Sequence, residues 1–298
     1  MLSIAYQALL VGLQACKAYL PLCLSEQYTV QPLTDEVLPM SLAAVLIVKN
    51  EAAHLRACLE TVSWADEIVV LDAGSHDATY EIAREFTDKV AVNADWQGFG
   101  MQRQRAEAMA ISDWILMIDA DERVTPELRE SIQKAVAAEE SAIYTLPRLS
   151  WCFGDFIRHS GWYPDRVARL YPRGKASYDA ALVHEKLQNP DGLPVKALQG
   201  DLLHYTYRDL RHYLEKSAHY AQAWAEQRAA RGKRGSLLNG IVHGLGCFVR
   251  MYLLRAGFLD GRQGLLLALL SAHSTFAKYA DLWIRTRTVT PPDHTSER

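Results

Sequence analysis

The stretch WILMIDADERV, residues 114–124, constrains this chain more than any other. A run of Trp, Ile, Leu and Met without a polar interruption is the pattern of a strand buried on both faces, which belongs to a parallel sheet covered by helices. Asp119, Asp121 and Glu122 follow at once, so the acids crown the carboxyl end of that strand. In open α/β sheets, ligands bind in the crevice outside the carboxyl ends of the strands.

The surrounding sequence repeats the same alternation. LAAVLIV (42–48) reads as a strand, and NEAAHLRACLETV as a helix capped by Asn50 that sets Leu55, Cys58, Leu59 and Val62 on one face. EIVVLD (67–72) is the next strand, Gly74 and Ser75 turn the chain into a second helix, and KVAV (89–92) is a short third strand. A helix is expected near 100–111, and Thr125 caps another with Pro126 at its first position, where a missing amide proton costs nothing. Strand–helix repeats of this kind specify an α/β fold with a mostly parallel, Rossmann-like sheet flanked by helices.

After about residue 142 the rhythm changes. AIYTLPRLSW reads as a strand, and residues 151–200 are rich in loops carrying Trp151, Trp162, Tyr163, Tyr171 and Tyr178, which either roof a core or stack on sugar rings. From 203 a helical region is expected, with Leu210, Leu214, Ala218, Ala221 and Ala225 on one stripe and Gly232 as its stop. The expected organisation is an extension over 1–40, a catalytic domain over 41–202 divided near 141, a helical region over 203–285 and a frayed tail over 286–298.

Charge separates these parts. Residues 1–201 hold 18 Lys+Arg against 28 Asp+Glu, whereas residues 202–298 hold 14 against 7, so a basic, apolar tail follows an acidic body. Such a tail suits an anionic membrane surface, or is a solvated helical face; no nucleic-acid motif accompanies it. The apolar run GLLLALLSAHSTFA (264–277) is shorter than the roughly 20 residues a spanning helix needs. Arg250 and Arg255 interrupt the segment 240–259, and the N-terminal apolar stretch lacks the basic start and the cleavage site of a signal peptide. Five scattered cysteines with no C-x-x-C pair suggest neither a disulfide framework nor a zinc site, and fit a reducing compartment.

Two carboxylates one residue apart beyond a strand tip are hard oxygen ligands suited to Mg²⁺ or Mn²⁺, ions that bridge carboxylates to a substrate's phosphates. Other phosphate chemistry fits less well: there is no G-x-x-x-x-G-K-[ST], GLGCFV (244–249) lacks the third glycine of a dinucleotide fingerprint, and Arg123 stands where a D-x-D phosphotransferase wants Thr or Val. A second acidic strand tip, VVLDAGSHDAT, offers Asp72 to a nucleobase or ribose, with Asp77 as a helix cap.

LIVKNEAAHLRACLETV, VVLDAGSHDAT and WILMIDADERVTPEL, in this order and spacing, resemble the large second sequence family of glycosyltransferases with the GT-A fold. GWYPDRVARLYPRGKASYDAALVHEKL, HYTYRDLRHYLEKSAHYA and GFLDGRQGLLLALLSAHSTFAKYA are similar to its lipopolysaccharide-core branch, whose members add β-linked glucose to an inner-core heptose. The resemblance spans residues 41 to about 285. It implies a nucleotide-sugar donor, UDP-glucose in this branch, and inversion at the anomeric carbon in one displacement. By position, Lys49, Asn50 and Glu51 would line the nucleotide pocket, Asp72 would meet the uracil, Asp119 the ribose, and Asp121 would hold the metal on the diphosphate, with His184 as a further metal or phosphate contact.

Inversion needs a base for the acceptor hydroxyl, and the candidates are Glu185 in VHEKL and Asp165 in WYPDR. Glu185 is preferred, because an adjacent His–Glu pair closing a short apolar run fits a site edge. A lipid A–core acceptor is anchored in the inner membrane, which gives Arg208, Arg211, Arg228, Arg231, Lys233 and Arg234 a partner and makes the protein peripheral on the cytoplasmic face. The rival readings are the same fold with another nucleotide sugar or a polyprenyl-linked acceptor, and a catalytically silent protein that binds sugar nucleotides or lipid.

Overall fold

The computed structural model describes residues 40–287 apart from Glu139, residues 182–184 and Arg208. The extension expected over 1–40 therefore lies outside the described residues except for Met40, as do the tail from 288 onward and His184.

The first half of the chain builds the parallel part of one sheet. Leu42–Val48 (β1) lies between Glu67–Asp72 (β2) and Trp114–Met117 (β4), with Val90–Val92 (β3) beyond β2, all parallel. Alternation along β1 feeds two layers. Leu42, Ala44, Leu46 and Val48 pack with Leu55, Cys58 and Leu59 of the helix Ala52–Val62 (α1) and with Leu128 and Ile132 of Pro126–Ala137 (α4). Ala43 and Val45 turn to the opposite layer, where Ala106 of Phe99–Glu107 (α3) meets Ile115, Met117 and Tyr171. The short helix between β2 and β3, Thr79–Arg84 (α2), completes the crossovers.

Beyond β4 the sheet continues with mixed direction and curls. Asp165–Pro172 (β8) runs antiparallel to both β4 and Ile143–Cys152 (β6), and Leu202–Tyr207 (β12) lies parallel to β6 and antiparallel to Glu122–Val124 (β5). The full order is β3-β2-β1-β4-β8-β6-β12-β5, with Asp155–Phe156 (β7) and Val195–Ala197 (β11) attached to β6; Ser177–Tyr178 (β9) and Leu187–Gln188 (β10) form a separate hairpin. The sheet thus extends past residue 202, and the segment expected to open the helical region is its strand β12.

Four helical pieces close the chain: Leu210–Ala230 (α5), Leu237–Phe248 (α6) running on into a π-helical turn Val249–Leu254, a 3₁₀ turn Gly257–Asp260, and Gly261–Thr286 (α7). The described residues from 40 to 287 form one compact unit, because Cys152 and Ile157 of the sheet domain share an apolar cluster with Met251, Leu267 and Ala268. Asp260 fastens the same junction: its carboxylate accepts the backbone N–H of Arg158 (3.0 Å) and of His159 (3.0 Å), and lies 2.9 Å from His159 Nδ1.

Several local expectations change. Asn50 does not cap α1; Glu51 is the N-cap, with no side-chain cap bond, while Asn50 adopts a left-handed φ of 56° and its Oδ1 accepts the His76 N–H at 2.8 Å. Asn tolerates that conformation better than most residues, and it ties the β1 tip to the β2 tip. Thr125 caps α4 as expected, accepting the Leu128 N–H at 3.3 Å. On α5 the buried residues are Tyr213, Ala221 and Ala225, whereas Leu210 and Leu214 are exposed, so the inward stripe is rotated from the expected one. Tyr171 and Tyr178 are buried, and Trp151 packs against Phe156, so these aromatics roof the core.

Candidate functional site

The carboxyl ends of β1 and β4, with Arg148 of β6, Arg169 of β8 and His204, Thr206 and Tyr207 of β12, surround a cleft of about 890 Å³. Each strand delivers its side chain by register. Beyond β4 the chain makes a tight turn in which the Glu122 N–H donates to Asp119 O (2.9 Å) and the Asp119 N–H donates to Glu122 Oε2 (2.9 Å). Arg123 staples this turn by donating to Ala120 O and Glu122 O, at 2.8 and 2.7 Å, and to His54 O of α1 at 2.8 Å. Behind it, the buried thiol of Cys58 lies 3.4 Å from Asp119 O, and burial pushes that thiol far above its ordinary range.

Asp119 and Asp121 occupy different environments. Asp119 is clasped by two guanidiniums: Arg103 Nη2 donates to Oδ1 at 2.7 Å, and Arg169 Nη2 bonds Oδ2. Burial alone would raise the Asp119 carboxyl, but the two arginines overcome it and hold the group well below the usual carboxylate range. Glu122, fully buried, lies 3.4 Å from Arg169 and 3.5 Å from Arg148; burial raises its carboxyl against their pull. Asp121 is 31% exposed, and its Oδ2 lies 3.4 Å from His204 Nε2. The pairing of His204 with Glu122 across β12 and β5 brings that ring to Asp121, and Ser150 Oγ sits 3.3 Å from its Nδ1.

Glu185 reaches the cleft from the segment that follows β9. Gly100 at the start of α3 allows this approach, since a Cβ there would stand 1.8 Å from Asp179 O, and its N–H donates to Ala181 O at 3.2 Å. The docked segment places Glu185 Oε1 2.9 Å from Arg103 Nε. Arg103, stacked 5.1 Å over the Tyr178 ring, therefore bridges Glu185 to Asp119.

Of the residues singled out in the sequence, Lys49, Glu51, Asp119, Asp121 and Glu185 line the cleft together. Asp72, at the tip of β2, is buried, and its Oδ1 accepts the Ser75 N–H (2.9 Å) and hydroxyl (2.7 Å). Asn50 and Asp72 lie beside the cleft without belonging to its lining, although Ala73 does. Asp165 is also outside the lining; it accepts Arg148 Nε at 2.9 Å and so positions a guanidinium that does line it. His184 lies outside the described residues. The sequence reading missed Arg103, Arg148, Arg169 and Lys216, and the aromatic walls prove to be Trp96, Phe99, Tyr207 and Tyr220.

Asp121 and His204 both line the cleft, and their facing carboxylate oxygen and imidazole nitrogen form a donor pair that a divalent cation can share with phosphate oxygens. Among the described residues no group of three His, Cys, Asp or Glu converges as a closed metal site. Lys49 and Lys216 carry no ion pair among the described residues, which leaves two cations for an anionic ligand.

A curled, mostly parallel sheet with an acidic D-x-D turn at its carboxyl edge, facing a cleft lined by cations, has the architecture of a GT-A glycosyltransferase. The sequence model of glycosyl transferase family 2 matches residues 43–187, so the chain carries a domain of that family. It is 29% identical over 259 residues to the lipopolysaccharide core biosynthesis glycosyltransferase LpsC of Rhizobium meliloti, covering 81% of this chain and 94% of LpsC. An uncharacterized glycosyltransferase of Rickettsia prowazekii is 26% identical, with 85% of this chain and 91% of that one covered. Among solved structures, glucosyl-3-phosphoglycerate synthase of Mycobacterium tuberculosis, in complex with phosphoglyceric acid, superposes with a TM-score of 0.43 at 17% identity over 66% of this chain and 82% of that one.

Proposed function

We propose that this glycosyltransferase moves glucose from UDP-glucose to an inner-core heptose of lipopolysaccharide, with inversion and with Mg²⁺ or Mn²⁺. The observation that carries the reading is the division of labour between the two aspartates: Asp119 is clasped by Arg103 and Arg169, while Asp121 is left beside His204 in the cleft. Asp121 and His204 are the residues that would hold the cation, and Asp119 is the fixed, anionic acceptor for a ribose hydroxyl. Lys49 and Glu51 at the β1 tip complete the nucleotide wall, with Asn50 and Asp72 bracing it from behind. When bound, the cation offsets the charge that gathers on the departing diphosphate.

The rest falls to the chain itself. Lys49, Lys216 and Arg148 supply fixed positive charge where the leaving group becomes more anionic, and fixed charge of this kind needs no reorganisation during the reaction. Glu185 is the base: its Oε1 is oriented by Arg103, which leaves Oε2 for the acceptor hydroxyl proton. Asp165 acts at one remove, through Arg148. The acceptor class is supported by the relation to LpsC and by the basic helical region. A peripheral position on the cytoplasmic face of the inner membrane would bring together a cytoplasmic donor and a membrane-anchored acceptor.

The test is UDP release from UDP-glucose, with and without a heptose-bearing core acceptor, in Mn²⁺ or Mg²⁺ and then in excess chelator. Release should depend on acceptor and metal and vanish in Asp121→Asn. Glu185→Gln should fall by about 10²–10⁴-fold, the usual worth of a general base, while Asp165→Asn keeps a much larger share. Release that ignores the acceptor or survives chelation would overturn the reading, and so would equal losses in the two acid variants.

A further inference from the structure

The helix α6 displays the wrong face to water for a soluble protein. Two of its glycines point inward: a Cβ on Gly240 would stand 3.0 Å from Tyr279 Cβ, and one on Gly244 would stand 3.1 Å from Ala272 O, so α6 lies tight against α7 through glycine. Its large residues point outward. Leu238, Ile241, Val242 and Leu245 are 68%, 49%, 59% and 63% exposed, and Leu253 and Leu254 of the following turn are 53% and 76% exposed. Positions 238, 241, 242, 245, 249 and 253 recur at helical spacing, so these side chains form one continuous stripe rather than scattered single residues. Phe258 and Leu259 extend it at 50% and 61% exposure. Soluble monomers rarely show a contiguous apolar surface of this kind without a partner.

Charge selects the partner. Arg250, Arg255 and Arg262 punctuate the stripe, and Arg231, Lys233 and Arg234 precede it, in a region holding 14 Lys+Arg against 7 Asp+Glu. Large apolar side chains bordered by long basic ones match the boundary between acyl chains and anionic headgroups, where Arg snorkels and Leu inserts. Residues 237–254 form 18 helical residues, long and apolar enough to cross a membrane. Their anchoring argues for a different placement. Met251, at the far end, is locked into the cluster with Cys152 and Ile157 of the sheet domain, and Gly235, at the near end, packs against the backbone of Trp283. Both ends are held by protein, so the helix lies along the surface.

We infer that the outward stripe of α6 and of the turns after it is an in-plane docking surface for an anionic lipid bilayer. The inference deepens the proposed function, which takes a membrane-anchored acceptor, by assigning the contact to named side chains. Insertion itself involves no sugar transfer, so flotation reads it independently of activity.

The test is flotation of the full chain with phosphatidylcholine vesicles, with and without phosphatidylglycerol, at low and high salt. The wild type should float with the phosphatidylglycerol vesicles and keep part of that binding at high salt. The double variant Leu245→Glu/Leu253→Glu should lose about tenfold or more of it, as expected when inserted leucines become carboxylates, with unchanged near-ultraviolet circular dichroism because both side chains are exposed. Arg250→Gln/Arg255→Gln should weaken binding at low salt and flatten its salt dependence. Equal flotation of wild type and leucine variant overturns the assignment, as does a wild type that floats with neither vesicle. A wild-type dimer made monomeric by the leucine change, with flotation unaltered, assigns the stripe to a second copy instead. Transfer to a delipidated core oligosaccharide separates the two readings: activity there with no flotation defeats the docking surface alone.

Discussion

Arg169 and Arg103 decide the chemistry of the acidic turn, although neither is acidic nor part of it. Both are almost wholly buried, and between them they compensate Asp119, Glu122 and Glu185. Removing one partner of such a group leaves an uncompensated buried charge, which costs roughly 3–5 kcal/mol. Arg169→Met should therefore lower stability to urea by about that amount, and adding Asp119→Asn should recover part of it. The pH dependence has a definite sign. Asp119 has a folded pKa depressed below its ordinary 3.8, so its contribution is complete above that value and is lost as pH falls below it. Glu122 acts oppositely: its raised pKa means that ionisation costs stability as pH climbs past the ordinary 4.5. Acid titration of stability in Asp119→Asn should show a shallower loss below pH 3.8 than the wild type. An unchanged acid limb would show that the two arginines do not stabilise the ionised form.

At the scale of elements, the junction between α4 and the sheet depends on one glycine. Gly200 has φ +85°, and a Cβ there would lie 2.2 Å from Leu128 N, the group that Thr125 caps. Gly200→Ala should destabilise the protein far more than Thr125→Ala, which removes one cap worth about 1 kcal/mol; melting temperatures of the two variants compare them directly. The strands β1, β2 and β4 were legible in the sequence because burial on both faces leaves unbroken apolar runs. The D-x-D turn was legible because a strand tip has a known side. The strand β12 was not, since HYTY mixes polar and aromatic residues and merges with the helix that follows. His204 therefore does not stand out in the sequence: its place beside Asp121 is a matter of register against β5, and one sequence carries almost no information on long-range register. Arg103 and Arg169 escaped because arginine is read as surface. Arg169 had a signal, standing immediately before the core pair Leu170 and Tyr171 in β8.

For the molecule as a whole, the helical region is joined to the sheet domain by a polar fastening as well as an apolar one. Asp260, nearly buried, gathers the backbone of Arg158 and His159, while Ser160 N–H donates to Arg255 O at 2.9 Å. The segment 158–160 is thus pinned to the chain that carries the exposed apolar stripe. Asp260→Ala should release it, seen as faster hydrogen exchange at the amides of residues 158–160 while exchange within β1 and β4 stays unchanged. Uniform acceleration across the domain would mean instead that Asp260 sustains the global fold.

Cys58 turns the acidic turn into something that can be timed. Its thiol is sealed behind Asp119, within reach of that residue's carbonyl, and burial suppresses the thiolate that alkylating reagents require. Labelling at this position can proceed only when α1 and the turn part company, so its rate, read peptide by peptide in a mass spectrometer, is a clock for the opening of the active edge. Uridine diphosphate with Mn²⁺ should slow that clock severalfold, in proportion to the fraction bound, and an unchanged rate would mean that the ligand leaves the turn no tighter than before. The chain carries its own stopwatch, set one residue layer beneath the acids it reports on.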